Sequence, residues 1–519
     1  MIIMDKRHLS YDLYELIQSL TKNEKIYFKR YSSFHVKGEI NKYVLLFDCL
    51  NKQKEFNLQQ AIEEVNLKKS QSRNIKKYLY ELILKSLDQY HSSTSIDAQL
   101  GRLLCQIEIL MNKNLSEHAE VLIQKGISMA EKYGKSNYKL EFLNWKKRVF
   151  EVNSFSKNSM EEIKDLVDAC KNTLNTIHEE EDFWLLKVHS YWLVTKKGGF
   201  IDEEFNKVFE MHSLEKDKNL TFKESSFKTR LHYLSSIANL HSYKGEWSKV
   251  LNTRRKIVSL FEENPDLLKA NIHSYIGALY NLLVAFFNLR LYENEVYETI
   301  NKINLAPETF FKNKAVPESI QLQIFSYTGT IEPAILANTG QWEKAIQRIK
   351  VVQDGLLKFE NKINRFLKLV ILYNISYIHF AYGNLEESDR WIDIMIYDTE
   401  TTTGDQYYIQ ARILKLIIQF EMGNYFLFDY MTKSTKRYVL KRRHQYKYEA
   451  CLINFFLTFN KSHFSKHDIP VSFKKLKQEL ILIKNDPMEK LAMSYFDFEC
   501  WCDSHIKNIS YKLLFNKEK

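Results

Sequence analysis

The chain has 519 residues, 45% of them apolar, and a formal net charge of +11. That apolar share excludes a chain disordered over most of its length. Gly occurs 14 times and Pro 6 times, against about 36 and 26 at average usage; folds rich in sheet or loop place those residues at turns, so long helices with short connections are expected instead.

Residues 1–9 carry Asp5, Lys6 and Arg7 and no apolar core segment, so no secretory signal is expected and the predicted location is cytoplasmic. Ser10 is a candidate cap for a first helix through Leu13, Leu16, Ile17 and Leu20. Thr21 and Glu24 form a capping box for a second through Tyr27, Phe28 and Tyr31. A third is expected over Lys42 to Leu50, and Asn57 can cap a short helix from Leu58 to Val65. Ser72 is expected to open a long helix with Ile75, Leu79, Leu82, Ser86 and Tyr90 along one face. These elements define an N-terminal helical domain over 1–95, with a helix-turn-helix-like core at 58–91.

From residue 96 a unit recurs in which a helix ends in Gly, a polar residue and a large apolar one follow, and a second helix begins. Its clearest cases are Gly245-Glu246-Trp247, Gly340-Gln341-Trp342, Gly383-Asn384-Leu385 and Gly423-Asn424-Tyr425, with weaker versions at Lys113-Asn114-Leu115 and Arg290-Leu291-Tyr292. From Gly245 through Arg290 to Gly423 the turns lie 45, 50, 43 and 40 residues apart. Gly closes the first helix in the left-handed conformation. Five positions after each Gly come Val250, Ala345, Ser388 and Phe428, three of them small enough for close helix approach. One such pair cannot bury its apolar face alone, so the pairs must stack.

The stretches Tyr243 to Leu251 and Thr339 to Ile346 resemble the centre of a tetratricopeptide repeat, although the spacing exceeds that family's 34 residues and Pro333 stands where a small residue is expected. The resemblance implies an all-α, tetratricopeptide-like α-solenoid of antiparallel helix pairs over 96–430. The front end, Leu20 to Tyr31 with Tyr78 to Leu87, resembles uncharacterised helical-repeat proteins of Bacteroidota, a likeness that implies no activity. Residues 431–519 read as a basic C-terminal helical cap, with Pro470 and Pro487 expected between helices. This cap holds 18 Lys and Arg against 9 Asp and Glu.

Ala270 to Leu289 is uncharged but contains Asn271, His273, Ser274, Asn281 and Asn288, so it is read as a buried helix and not a bilayer span. The six cysteines sit inside apolar helical patterns, as reduced thiols do.

Catalytic motifs are sparse. Gly134-Lys135-Ser136 matches the end of a P-loop, but Met129 stands where its first Gly belongs. His463 and His467 lack the flanking Glu of a zinc protease. Cys500, Cys502 and His505 have spacing unlike a structural zinc site. The acidic run after His178 is expected to favour the start of a helix over Phe183 to Val188. No nucleophile elbow appears. A non-enzyme without a cofactor is therefore expected.

Three surfaces can hold a partner. First helices of the pairs line the groove of such an array, which nominates Asn271, Asn281, Asn288, Asn374 and Tyr377 for an extended peptide. Lys433, Arg437, Lys441, Arg442, Arg443 and Lys447, interleaved with Tyr438, Tyr446 and Tyr448, have the residue types that contact phosphates and stack on bases. Arg73, Lys76 and Lys77 lie in the first turns of the second helix of the helix-turn-helix-like core. The expected role is an intracellular scaffold or adaptor binding a protein or peptide; a nucleic-acid-associated regulator is the alternative, and an unrecognised enzyme is third.

Overall fold

The computed structural model describes residues 8–33, 42–67, 69–92, 95–156, 158–196, 207, 225–312, 315–397, 405–424, 426, 428–441, 446–461, 468–486, 489 and 492–517. Among them every regular element is a helix. The chain forms two compact units, Met1–Asn175 and Thr176–Lys519.

The first unit holds α1 (His8–Ser19), α2 (Lys22–Ser33), α3 (Lys42–Lys52), α4 (Leu58–Glu64), α5 (Lys69–His91), α6 (Ile96–Asn112), α7 (Ser116–Lys132), α8 (Ser136–Val152) and the first part of α9 (Met160–Lys196). The capping box forms, with the Thr21 amide donating to Glu24 at 2.7 Å and the Glu24 amide donating to Thr21 Oγ1 at 3.3 Å. Asn57 caps α4 by accepting from the Gln60 amide at 3.1 Å. Ser10 does not cap α1, which begins two residues earlier; its buried hydroxyl faces inward. α5 begins at Lys69, ahead of Ser72. Leu13, Ile17, Phe28, Phe47, Leu79 and Ile83 centre one core of this unit, and Leu100, Ile107, Ile123, Phe142 and Val149 centre a second. Gly126 lies so close to the Phe142 ring that a Cβ there would overlap it. Gly134 closes α7 with φ at +60°, so the fragment resembling a P-loop is a helix corner. α9 runs unbroken past His178 to Lys196, and the acidic residues expected at a helix start lie in its middle. Glu is a good helix former, and no Gly or Pro interrupts it there.

The second unit continues with α10 (Phe227–Tyr243), α11 (Trp247–Glu262), α12 (Pro265–Ala270), α13 (Ile272–Leu289), α14 (Asn294–Asn304), α15 (Ala306–Phe311), α16 (Glu318–Asn338), α17 (Trp342–Phe359), α18 (Arg365–Tyr382), α19 (Leu385–Tyr397) and α20 (Asp405–Glu421). It ends with α21 (Phe428–Leu440), α22 (Lys447–Lys461), α23 (Asp468–Ile483), α24 (Phe498–Lys507) and α25 (Tyr511–Lys517). Each expected corner carries a left-handed residue: φ is +70° at Gly245, +73° at Gly340, +99° at Gly383 and +70° at Gly423, and Arg290 and Asn114 adopt it at the weaker sites, with +54° and +59°. Across the Gly383 corner, the amides of Gly383 and Asn384 both donate to the His379 carbonyl, at 3.1 and 2.9 Å, which satisfies a carbonyl that the helix end would otherwise orphan. Tyr425 lies outside the described residues.

The pairs α10/α11, α13/α14, α16/α17, α18/α19 and α20/α21 stack through neighbouring first helices, α13 on α16, α16 on α18 and α18 on α20. This is an all-α, tetratricopeptide-like solenoid. Val250, Ala345, Ser388 and Phe428 are all buried where paired helices approach. Ser376 and Ser388 each donate to the other's carbonyl, at 2.9 and 2.7 Å. Gly355 is covered by the Phe325 ring, which a Cβ would overlap. α13 is the one described helix long and apolar enough to cross a membrane. It packs against α11, α14 and α16, with Tyr275, Ile276, Leu279, Leu282, Leu283 and Phe286 buried. Pro333 sits inside α16 and does not end it, and Pro470 occupies the first turn of α23, where a missing amide hydrogen is tolerated. The apolar residues from Ala337 to Phe515 form a single cluster, which joins the last five helices to the array.

Trp342 has no exposed surface and meets the Phe515 ring edge to face at 5.3 Å. Trp342→Ala should destabilise the second unit by about 3–5 kcal/mol, read as a lower urea midpoint. An unchanged midpoint would refute this packing.

Candidate functional site

The first helices of the pairs carry a connected row of tyrosines and amides. Tyr280 of α13 stacks on Tyr327 of α16 with ring centres 4.2 Å apart. Thr330 of α16 donates to the Tyr280 hydroxyl at 3.4 Å. Asn374 of α18 donates to the Thr330 carbonyl at 2.8 Å. Pro333 has no amide hydrogen, so α16 lacks one rung close to that carbonyl, and Asn374 ties the two helices together there. Two turns before Tyr280 and Thr330, Gln323 of α16 donates to the His273 carbonyl of α13 at 2.9 Å, and its amide oxygen lies 2.7 Å from the His273 ring.

Farther along, the row is covered by residues 495–515. Tyr373 donates to the Tyr495 carbonyl at 3.2 Å, and Tyr407 meets the Tyr495 ring edge-on at 5.1 Å. The Tyr377 and Tyr511 hydroxyls are 2.8 Å apart, and Phe496 lies against Tyr377 at 5.6 Å. Lys512 reaches Glu343 at 3.0 Å and stands 4.0 Å over the Tyr382 ring. Burial raises the hydroxyl pKa of Tyr280, Tyr373, Tyr377, Tyr407, Tyr495 and Tyr511. The row is therefore neutral at physiological pH and offers hydroxyl donors.

The five groove candidates have different fates. Asn281, next to Tyr280, is half-buried and makes no hydrogen bond among the described residues. Asn374 spans two helices, and Tyr377 lies beneath the C-terminal segment. Asn271 sits at the junction of α12 and α13 and donates to the Leu267 carbonyl at 2.8 Å. Asn288 is exposed and donates to Val284 of its own helix at 2.8 Å. Asn side chains readily bond nearby backbone in this way, which takes Asn271 and Asn288 out of the row.

The basic candidates also divide. Lys433 pairs with Asp429 at 2.5 Å and Lys447 approaches Asp486 at 3.8 Å. Arg437 and Lys441 are exposed. Arg442, Arg443 and His444 lie outside the described residues, as do His463 and His467. The interleaved tyrosines do not stand out as stacking platforms: Tyr448 is fully buried, and Tyr438 lies under the Arg412 guanidinium at 4.7 Å. In the first unit, Arg73 and Lys77 are exposed, whereas Lys76 is buried and donates to Ser10 Oγ at 2.8 Å. Lys76 follows Ile75 and precedes Leu79, on the edge of the apolar stripe of α5, and that stripe faces the core. Burial lowers its pKa.

Cys500 and Cys502 are core residues. His505 stacks on Phe473 at 4.1 Å and lies 2.6 Å from Glu421. Both the Trp501 indole, at 2.6 Å, and His505 use Glu421, so these residues build the C-terminal core.

The chain is thus an all-α helical-repeat protein with a neutral tyrosine and amide row along its first helices. No family model and no curated protein matches it, so the likeness of its front end to Bacteroidota proteins gains no support there. Among solved structures it is similar to the apo form of the quorum sensor NprR from B. thuringiensis, at 13% identity and a TM-score of 0.43, over 75% of this chain and 97% of that one. It is also similar to NprR in complex with its cognate peptide NprX, at 13% identity and a TM-score of 0.34, over 74% and 99% of the two chains.

His379 is buried, and neither ring nitrogen has a partner among the described residues. Burial lowers its pKa; Glu387 opposes the shift and Arg390 adds to it. The unfolded chain then binds that proton more readily, so stability falls as pH drops below the ordinary histidine value of about 6.5, by at most about 1.4 kcal/mol per pH unit. His379→Leu should flatten the decline in melting temperature between pH 7.5 and 5.5. An identical slope in wild type and variant would overturn this assignment.

Proposed function

We propose that this chain is a non-catalytic scaffold or adaptor that holds a peptide or extended protein segment along the α13 and α16 portion of the row. What supports this most is the character of the row. It is half-buried, neutral and rich in hydroxyls and amides, with the Tyr280–Tyr327 stack beside Asn281, whose amide makes no hydrogen bond among the described residues. An extended backbone presents a carbonyl and an amide at nearly every residue, and such a row can pair with both. Tyr adds a large contact surface at little cost in side-chain freedom. The C-terminal segment over Tyr373 and Tyr377 leaves the α13 and α16 portion as the seat for a ligand.

Nucleic-acid association is the second reading. Lys436, Arg437 and Lys441, exposed near the end of α21, favour it; the ion pairs of Lys433 and Lys447 reduce the charge on offer.

A random-sequence peptide array incubated with the full chain should yield binders, whose affinities are then measured by fluorescence anisotropy. Asn281→Ala and Tyr327→Ala should each weaken them by about 1–2 kcal/mol, roughly five- to thirty-fold, without loss of the folded state by circular dichroism. No binders, or binders indifferent to both changes, would refute the reading.

A further inference from the structure

At the front of the second unit, α9 and α10 run parallel and meet mainly through polar side chains. Glu179 accepts from Ser225 at 2.9 Å. Glu180 accepts from Ser226 at 2.9 Å and pairs with Lys228 at 3.3 Å. Phe183 meets Tyr233 edge-on at 5.9 Å. Asn239 donates to Ser190 Oγ at 3.2 Å, and Leu193 closes the seam against Leu240 and Tyr243.

Three basic side chains enter this seam without a counter-charge among the described residues. Lys187 lies on α9, one turn before Ser190, and is half-buried, with no acid in reach among the described residues. His232 lies two turns before Asn239 on α10, and its Nδ1 is shielded from solvent without a partner among the described residues. Arg254 comes from α11 and donates through Nη2 to the neutral Asn239 oxygen at 3.0 Å; it has no carboxylate partner among the described residues. Glu180 is already shared between Lys228 and Ser226.

Desolvated cations are normally paired, because burial removes their hydration and only an opposite charge or several acceptors replaces it. The titration behaviour agrees. Burial, then Lys187 and Lys228, lower His232 to about 4, and burial lowers Arg254 to about 10. The field at His232 is positive, and of the two lysines that set it Lys228 pairs with Glu180 whereas Lys187 has no acid partner among the described residues.

We propose that the seam between α9, α10 and α11 is an anion-binding site that takes a carboxylate or phosphate group between Lys187, His232 and Arg254. The planar guanidinium of Arg254 is suited to two oxygens of such a group. Lys187 supplies a point charge from the opposite helix, and Ser190 with Asn239 holds the two sides in register. The site shares no residue with the tyrosine row, so either can fail without the other.

The test is calorimetric titration of the full chain with inorganic phosphate, with a tripeptide bearing a free C-terminal carboxylate, and with its amide. Saturable binding of phosphate or of the carboxylate peptide is expected, and the choice between them identifies the source of the anion. The amide should not bind. Arg254→Gln and Lys187→Gln should each weaken binding at least tenfold, and the His232 ring resonances should move on addition of the bound anion. Lys187 is half-exposed, so Lys187→Gln serves if Arg254→Gln does not fold. Binding of neither anion, or binding unchanged in Lys187→Gln, overturns the proposal.

Discussion

A helix with one apolar stripe can persist in water only if something covers that stripe, and this chain solves the problem by lining helices up so that each covers the next. Backbones must approach closely for this to work. The requirement explains the buried Ser376 and Ser388 at the α18/α19 contact, Gly355 under Phe325 and Gly126 under Phe142. It also explains the left-handed corners at Gly245, Gly340, Gly383 and Gly423, which reverse the chain in a few residues.

Stacking also determines what is left over. Once the apolar stripes of the second helices and the flanks of the first helices are buried, the remaining face of α13 and α16 is a strip of tyrosine and amide that is neither core nor fully solvated. Half-burial favours directional hydrogen bonds over charge, because an ion there loses hydration without gaining a counter-ion. The seam at α9 differs in this respect: Lys187 and Arg254 carry charge into a half-buried setting, and among the described residues neither has a partner of opposite sign.

Much of this was legible in the sequence, because a Gly that needs positive φ leaves a local mark. Even the degenerate corners at Asn114 and Arg290 could be placed by spacing and by the apolar residue that follows. The long partnerships could not. Tyr377 meets Tyr511 across 134 positions, and nothing near Tyr377 announces that it will be covered. Lys76 lies at the edge of the apolar stripe of α5 and is buried with it, and a helix face cannot be assigned until the stripe it borders is known to face a core. Asn271 and Asn288 look like ligand contacts on paper, but each bonds a carbonyl four residues back. Lys187, His232 and Arg254 come from three helices and follow no periodicity, so only tertiary structure brings them together.

The clasp of Tyr511 and Phe515 on Tyr377 and Trp342 bears on biosynthesis. While the chain is being made, the tyrosine face of α18 and the tryptophan of α17 emerge more than a hundred residues before the side chains that seal them. During that interval the half-built array must keep aromatic surface in contact with water, where it invites association with other nascent chains or with chaperones. The second unit is therefore one whose closure waits for residues 511–515 to be translated, however early its first helices have paired.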